Sequence, residues 1–486
     1  MAEKILRTTK KIDAFGDLQG VLPWGHSYMP WAKYVLLNIP EGATPVKFLK
    51  ELMPEITGAN ERPGKLAMNI AFTHSGLARF GLPKSTLDNF SREFKEGMNI
   101  PYRTFLLGDF GNNAPENWQW GAPQQDEVHI SLMIFSIDKN ERDKAYDDCS
   151  QTITNHGLKT LIALDSETLS DNKEHFGFRD GIGQPTYDGI PKKNPSPSVI
   201  ATGEVLLGYK NQYDQYGRNA IVTEAKGDPS VLPTDQSGSG SPSFGQNGSY
   251  LVFRQLSQDV NLFWEFLKKE ATTDGNFDKG DMIRYGSKMV GRWPNGAPMA
   301  LFPDHEPNNA DPNKFDLFYY NPEDQYGYNC PRGSHLRRSN PRDAIAPNPE
   351  GSLRITDKHR LLRRGRPYGP PVVSSMNPEE ILEKGPDNIE RGLVFIAFCS
   401  DISRQYEFTQ RAWTNSPKFD DLYDEADPVA GNHYKSDECP LETDNFTIQG
   451  CPVRHRMNDL PNFIKTEGGA YFFLPGMSAL EYLTTL

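Results

Sequence analysis

The alternation of apolar and polar positions in the first half of the chain predicts four strands and two helices. Apolar runs rich in β-branched and aromatic residues predict strands, whereas amphipathic or strongly charged stretches predict helices. The predicted strands are residues 34–39, 65–72, 129–137 and 160–164, and the predicted helices are residues 46–53 and 139–148. The order is therefore strand, helix, strand, strand, helix, strand.

The second half repeats this order of pattern without repeating its letters. Strands are predicted at residues 249–256, 360–363, 393–399 and 470–474, and helices at residues 260–269 and near 403–413. Asp259 is the expected N-cap of the first of these helices. Two such sets predict an α+β protein with two ferredoxin-like domains, each an antiparallel sheet covered by helices on one face. This is the architecture of the dimeric α+β barrel superfamily.

Length and composition agree with two domains. A chain of 486 residues exceeds the usual size of one hydrophobic core. We expect an N-terminal domain over residues 1–190, a linker with insertion loops over 191–248, and a C-terminal domain over 249–486. The linker is rich in Ser, Gly and Pro, and its glycines lack the order of a phosphate-binding loop.

The charge balance restricts the partners. Lys and Arg number 52 and Asp and Glu number 64, a formal net charge of −12, and an acidic surface repels phosphate backbones, so we expect no nucleic acid. No apolar run approaches the roughly 20 residues of a membrane helix, so we expect no membrane partner. The first residues lack the apolar core of a secretory signal, and a cytoplasmic location is expected.

The five cysteines are scattered and odd in number, which is typical of reduced thiols. Whether Cys439 and Cys451 form a pair stays open. The absence of a CxxC motif and of a His pair at zinc spacing makes a structural zinc site unexpected.

Three clusters carry candidate chemistry: GFRDG at 177–181, CPRGSHLRRSNPRD at 330–343 and LLRRGRPYGP at 361–370. In the second cluster, Ser334 could cap a short helix with His335 in its first turn. A single His suits the axial position of haem, which brings its own four donors. A buried His bonded to backbone, or a surface His in a basic stretch, is the alternative. Arg342 could bind a haem propionate or form a surface salt bridge.

In the third cluster, Arg363 and Arg364 follow one another along a strand, so one side chain should point inward and the other outward. A buried Arg needs an anion, and Asp180 is a candidate partner. Two edge-strand charges are the alternative. If an Arg and Asp180 faced an open position on a haem iron, the carboxylate could move a proton between the oxygens of hydrogen peroxide, and the Arg could stabilise negative charge as the O–O bond breaks.

Together these motifs closely resemble the dye-decolorizing peroxidase family, as do GDLQG at 16–20, GSYLVF at 248–253 and KMVGRW at 288–293. The length and insertions are similar to those of its larger members. The resemblance implies one haem b per chain, held mainly by the C-terminal domain, and oxidation of dyes and phenolic compounds by hydrogen peroxide. A homo-oligomer is left open.

The resemblance also implies residue roles. It makes His335 the proximal ligand of the iron, Asp180 and Arg363 the distal catalytic pair, and Arg342 the propionate-binding residue. Asp420 is expected to orient His335, with Glu407 as the second candidate. Further contacts with the cofactor are expected from Gly181, Ile182, Gly183, Gln184 and Phe395.

Bulky dyes cannot reach a buried haem, and the resemblance implies their oxidation at surface aromatic residues. The available candidates are Trp293, Trp413, Tyr319, Tyr320, Tyr326 and Tyr328. Two other functions stay open: a chlorite-dismutase-like haem enzyme, which gives no reason for the distal Asp, and a non-enzymatic haem carrier or haem-iron release protein.

Overall fold

A computed structural model describes residues 11–192, 196–224, 226–434 and 443–486. Its strands are β1 Trp31–Asn38, β2 Leu66–Phe72, β3 Ile130–Ser136, β4 Lys159–Glu167, β5 Thr186–Tyr187, β6 Val199–Ile200, β7 Ser249–Gln258, β8 Thr272–Thr273, β9 Asn276–Phe277, β10 Leu362–Arg363, β11 Arg366–Tyr368, β12 Gly392–Cys399, β13 Phe446–Ile448, β14 His455–Met457 and β15 Ile464–Leu474. Its α-helices are α1 Val21–Trp24, α2 Pro45–Leu52, α3 His74–Arg79, α4 Lys84–Leu87, α5 Arg92–Glu96, α6 Pro101–Leu107, α7 Lys139–Asn155, α8 Val260–Glu270, α9 Lys279–Val290, α10 His335–Ser339, α11 Pro349–Thr356, α12 Pro378–Lys384 and α13 Met477–Thr484.

The strand order confirms the predicted duplication. In the N-terminal half the order is β2-β3-β1-β4, and every pair is antiparallel. In the C-terminal half β10 and β11 pair with β12, followed by β7 and β15, again antiparallel throughout. In both halves the first strand is central and pairs with the third and the fourth, which is the ferredoxin-like arrangement.

The two halves share one nine-stranded sheet, whereas the sequence predicted two. β15 pairs with β2 through Phe473 and Phe72. At the opposite edges, Ser166 Oγ on β4 donates a hydrogen bond of 2.6 Å to the Pro367 carbonyl on β11. The sheet therefore curls toward closure around an apolar interior, where the rings of Tyr34 and Phe253 lie 5.7 Å apart. Local patterning cannot show a pairing between residues about 400 positions apart in the chain.

Helices cover the outer faces of the sheet, as expected. α8 begins where Asp259 accepts a hydrogen bond of 2.9 Å from the Leu262 amide, and it buries Phe263, Trp264 and Leu267. The helix predicted near 403–413 is π-helical, over Ser403–Glu407 and Thr409–Thr414. Wide π turns occur often at functional sites, and this one contributes to the cavity described below.

No helix within the described ranges is long and apolar enough to cross a membrane. Cys149, Cys330 and Cys399 are buried free thiols. Cys439 lies outside the described residues.

Candidate active site

A cavity of about 300 Å3 lies against the C-terminal half of the sheet, between α10, the turn after β4 and the π-helical segment. Most of its wall is apolar. The apolar lining residues include Phe176, Phe178, Ile182, Val290, Leu336, Leu361, Leu393, Phe395 and Ile464. A pocket of this kind, with a few convergent polar groups, is the usual form of a small-molecule or cofactor site.

His335 lines this cavity from the first turn of α10. Ser334 caps the helix, as predicted, by accepting a hydrogen bond from the Arg337 amide. Nδ1 of His335 lies 2.9 Å from Oδ2 of Asp427. The imidazole is thus fixed through Nδ1, which leaves Nε2, on the other side of the ring, to bind a ligand.

The carboxylate of Asp427, which contacts this ring, is itself held firmly in place. Its side chain is completely buried, and its Oδ1 accepts hydrogen bonds of 2.9 Å from the amides of Val429 and Ala430. Burial would raise the pKa of Asp427, but the charge of His335 and their hydrogen bond outweigh it and lower the pKa. For His335, the charge of Asp427 and the same hydrogen bond outweigh burial and raise the pKa.

The prediction that Asp420 orients His335 is therefore wrong, and so is the second candidate. Asp420 lies 3.9 Å from Arg332, and Glu407 pairs with Arg103 and accepts a hydrogen bond from Tyr471. Asp427 was missed because it follows His335 by 92 residues, in the loop sequence ADPVAG, which has no recognisable ligand spacing.

Asp180 and Arg363 meet in the cavity, at 3.7 Å between Oδ1 and Nη1. The expected alternation along β10 is present: Arg363 points inward, whereas the side chain of Arg364 donates to the carbonyls of Val21 and Leu22. Gln184 fixes this register by accepting a hydrogen bond of 3.0 Å from the Arg363 amide. The side chains of Asp180 and Arg363 are 46% and 32% exposed, so a small polar substrate can reach them from solvent.

The turn that carries Asp180 is organised around a second acid, Glu174. Its carboxylate accepts hydrogen bonds from the amides of Phe176 and Phe178, at 2.9 and 3.0 Å, and from Gln258 at 2.7 Å. Glu174 lines the same cavity, and burial raises its pKa to about 7. Glu174 could not be predicted as a site residue, because nothing in the sequence EHFGFRD distinguishes its carboxylate from that of a surface acid.

Two further arginines give the cavity an excess of positive charge. Arg292 and Arg360 both line it, and Nη2 of Arg292 is buried with no hydrogen-bond partner. Burial, followed by repulsion from Arg342, lowers the pKa of Arg292 to about 10 and also lowers the pKa of Arg360. Carboxylates of a ligand would relieve both effects.

Arg342 lies beside this cluster rather than in the cavity wall. Its Nη1 donates to the carbonyls of Asp316 and Phe318 at 3.0 and 2.9 Å, its Nη2 forms an ion pair of 2.5 Å with the Asp316 carboxylate, and its Nε has no hydrogen-bond partner. It lines a neighbouring cavity of about 20 Å3, to which Arg360 also contributes. Its binding of a propionate stays a prediction.

The other predicted cofactor contacts divide into two groups. Ile182, Gly183 and Phe395 line the cavity. Gly181 and Gln184 are not part of its lining, and Gly181 instead forms the turn, with φ of 79°. The Gln184 side chain is instead directed at the Arg363 amide, from which it accepts a hydrogen bond, so the expected cofactor contacts of Gly181 and Gln184 are not present.

Among the aromatic residues predicted to relay electrons, Trp413 contacts the cavity wall through His359, with ring centroids 5.2 Å apart. Trp293, Trp413 and Tyr320 are buried. Tyr326 and Tyr328 are 57% and 51% exposed. The relay role stays a prediction for each of them.

Four features of the cavity suit haem as its cofactor. The wall is mostly apolar and includes aromatic rings, and one imidazole is oriented by a buried carboxylate. The buried guanidinium of Arg292 has a nitrogen without a hydrogen bond, and an acid–arginine pair lies in the same cavity. Among the residues that the structure describes, no cluster of three or more candidate metal ligands is present, and a single nitrogen donor suits a metal that is already held by a macrocycle.

Comparisons with known proteins find similar proteins of one kind. No protein-family model matches the chain. The dye-decolorizing peroxidase msp1 of Mycetinis scorodonius is 27% identical over 431 residues, covering 85% of this chain and 76% of that protein. A dye-decolorizing peroxidase of Mycena epipterygia is 28% identical over 474 residues, covering 90% and 80%. A solved dye-decolorizing peroxidase in complex with 2,6-dimethoxyphenol superimposes with a TM-score of 0.77 at 25% identity, covering 98% of this chain and 100% of that chain.

Proposed function

Because the chain belongs to the dye-decolorizing peroxidase family, whose members are haem enzymes, we propose that its cavity holds one haem b with His335 as the axial ligand. Asp180 and Arg363 then act on hydrogen peroxide in the same cavity. The observation that carries this proposal is the pairing of Asp180 with Arg363 in the cavity that His335 lines. Arg292 and Arg360 would hold the propionates.

Haem supplies the electrons that reduce hydrogen peroxide and the oxidising power later passed to a reductant. Asp180 takes a proton from one oxygen of hydrogen peroxide and returns it to the other oxygen, which leaves as water. Arg363 stabilises the negative charge that develops as the O–O bond breaks. Asp427 keeps the proton of His335 on Nδ1 and so makes Nε2 the ligand atom.

The reductants are proposed to be phenolic compounds and dyes. The relatives named above are dye-decolorizing peroxidases, and one of them binds 2,6-dimethoxyphenol. A cavity of about 300 Å3 that holds a cofactor has no room for a bulky dye as well, and this supports the proposal that dyes are oxidised at the protein surface.

Purified protein titrated with haem should develop a Soret band that saturates at one haem per chain. His335→Ala should weaken or abolish this band, whereas His455→Ala, at a His that does not line the cavity, should leave it intact. Saturation at the same ratio and affinity in both variants would assign the axial ligand elsewhere.

Rapid mixing with hydrogen peroxide separates the proposal from its alternatives. A peroxidase converts its Soret band quickly and recovers it on addition of a phenol, whereas a haem carrier only bleaches. The carboxylate beside Arg363 favours the peroxidase over a chlorite-dismutase-like enzyme, which needs no distal acid.

A further inference from the structure

Three exposed aromatic side chains and one half-buried ring lie beside the active-site cavity, and we name this surface the aromatic shelf. It comprises Tyr102 and Phe105 on α6, Phe110 after α6, and Tyr434. Tyr102, Phe105 and Tyr434 are 60%, 70% and 37% exposed. A single exposed ring needs no explanation, but a contiguous group of rings marks a binding surface.

The rings of the shelf are arranged in sequence. Phe105 and Phe110 are near parallel, with centroids 6.4 Å apart and planes inclined by 29°. Phe110 meets Tyr434 edge to face at 6.3 Å. Tyr102 precedes Phe105 by three residues and so lies on the same face of α6.

The backbone at Gly111 packs closely against a ring of the shelf. Its φ is 62°, and a Cβ placed there would lie 2.5 Å from the ring of Tyr434. The backbone therefore lies flat against this ring, and only glycine fits the position.

The shelf and the cavity share one wall. Leu107, Gly108 and Asp109, which lie between Phe105 and Phe110, line the cavity. Asn432 closes this wall, because its Nδ2 donates to the carbonyls of Gly108 and Phe110 at 2.6 and 3.2 Å. One short segment of chain thus separates the exposed rings from the space that the cofactor would fill.

The chemistry of the shelf indicates which kind of ligand it would bind. Its faces are aromatic and carry no charge, so a planar aromatic molecule can stack on them. The alternative occupant, a second copy of the chain, fits less well, because a stable interface buries about 800 Å2 on each partner and four side chains offer only part of that.

We propose that the aromatic shelf binds the planar aromatic reductant, a phenol or a dye, next to the cavity. This proposal rests on the proposed function. With haem bound and hydrogen peroxide as the oxidant, the shelf would hold the aromatic beside the shared wall, where it could give up one electron, and a phenol would also release its hydroxyl proton to solvent.

The test uses the holoenzyme and the double variant Tyr102→Ser/Phe105→Ser. The control is Phe277→Ser, which removes an exposed Phe on β9 that does not line the cavity. An anthraquinone dye is titrated without peroxide, and its KM is then measured with peroxide. Both the dissociation constant and the KM should rise roughly 3- to 10-fold in the double variant, because one or two ring contacts with the dye are lost. The control should match the wild type.

Two further measurements make the result decisive. The rate of reaction with hydrogen peroxide and the KM for ferrocyanide, a reductant without a ring, should not change. Unaltered dye binding and an unaltered KM in the double variant would overturn the proposal that the aromatic shelf binds the reductant. A variant that changes only the oligomeric state in sedimentation would overturn it too, because the shelf would then be an interface between copies. Failure of the wild type to react with peroxide would instead contradict the proposed function, while the peroxide-free titration still tests the shelf.

Discussion

In the proposed function, Asp427 controls how tightly the cavity holds haem, because it orients the imidazole of His335. It is completely buried, pairs with Nδ1 of His335 and is itself fixed by two backbone amides. A carboxylate in this position makes the opposite nitrogen a stronger ligand. The ring and its acid therefore act as one unit, although they come from distant parts of the chain.

We expect Asp427→Asn to release haem about 10- to 100-fold faster than the wild type, the usual effect of losing such a partner. The measurement is transfer of haem to an excess of apomyoglobin. Asp420→Asn is the matched control, because Asp420 faces Arg332 and should not affect the rate. Equal acceleration by both variants would show that general loosening, not the contact with His335, is responsible.

The raised pKa of Glu174 predicts that the stability of the protein depends on pH. Its pKa of about 7 in the folded protein lies above the ordinary value of 4.5, so the folded state binds more protons than the unfolded state between these values. The contribution of this carboxyl to stability therefore falls as the pH rises from about 4.5 to about 7.

Glu174→Gln, which cannot ionise, should lack this fall. The difference in thermal midpoint between variant and wild type should move in favour of the variant as the pH rises through this window. Glu265→Gln, at an exposed acid on α8, should show no such trend. A difference that is constant with pH would contradict the raised pKa.

The two-residue strand β10 places adjacent arginines in different environments. Arg363 faces Asp180, whereas Arg364 is bonded to two backbone carbonyls of the N-terminal half. Burial lowers the pKa of Arg364 to about 10. A shift of one residue in the register of β10 would therefore exchange the residue that faces Asp180 with the residue that packs against the N-terminal half.

We expect Arg363→Leu to slow the reaction with hydrogen peroxide by about 10²- to 10³-fold, the usual cost of removing one stabilising donor. Arg364→Leu should leave that rate near the wild-type value and lower the thermal midpoint instead. The measurement is the second-order rate from rapid mixing, alongside thermal unfolding. A reversed pattern would mean that the strand is out of register by one residue.

Elements with a strong pattern could be predicted from the sequence, and their contacts could not. The run LVFIAFC predicted β12, and Asp259 predicted the start of α8, because period and capping are local properties. The pairing of Phe473 with Phe72 and the contact of Asp427 with His335 depend on chain segments that meet only after folding. The limits of the two domains, the relay residue and the cytoplasmic location stay predictions.

The molecule as a whole is held together across its two halves. Arg366 on β11 is buried and donates to the carbonyls of His26 and Met29, which precede β1. With the pairing of β15 and β2, this contact joins the C-terminal half to the N-terminal half on both sides of the curled sheet. We therefore expect the halves to unfold together.

Arg366→Leu leaves the buried Met29 carbonyl without its donor, whereas the His26 carbonyl keeps the Met29 amide, and the variant should cost about 1–3 kcal/mol. Thermal unfolding followed by circular dichroism and by the Soret band should show one shared transition at a lower midpoint. Arg284→Leu, which breaks an exposed pair with Asp281, should cost no more than about 0.5 kcal/mol. Two separate transitions in the wild type would show that the halves are independent.

The most direct test mixes hydrogen peroxide rapidly with haem-loaded wild type and Asp180→Asn, matched in haem content, and follows the Soret band. If Asp180 moves the proton that allows the O–O bond to break, the variant should react about 10²- to 10⁴-fold more slowly while its resting spectrum stays that of a His-ligated haem. Equal rates in the two proteins would contradict the role of Asp180 and, with it, the proposed reaction.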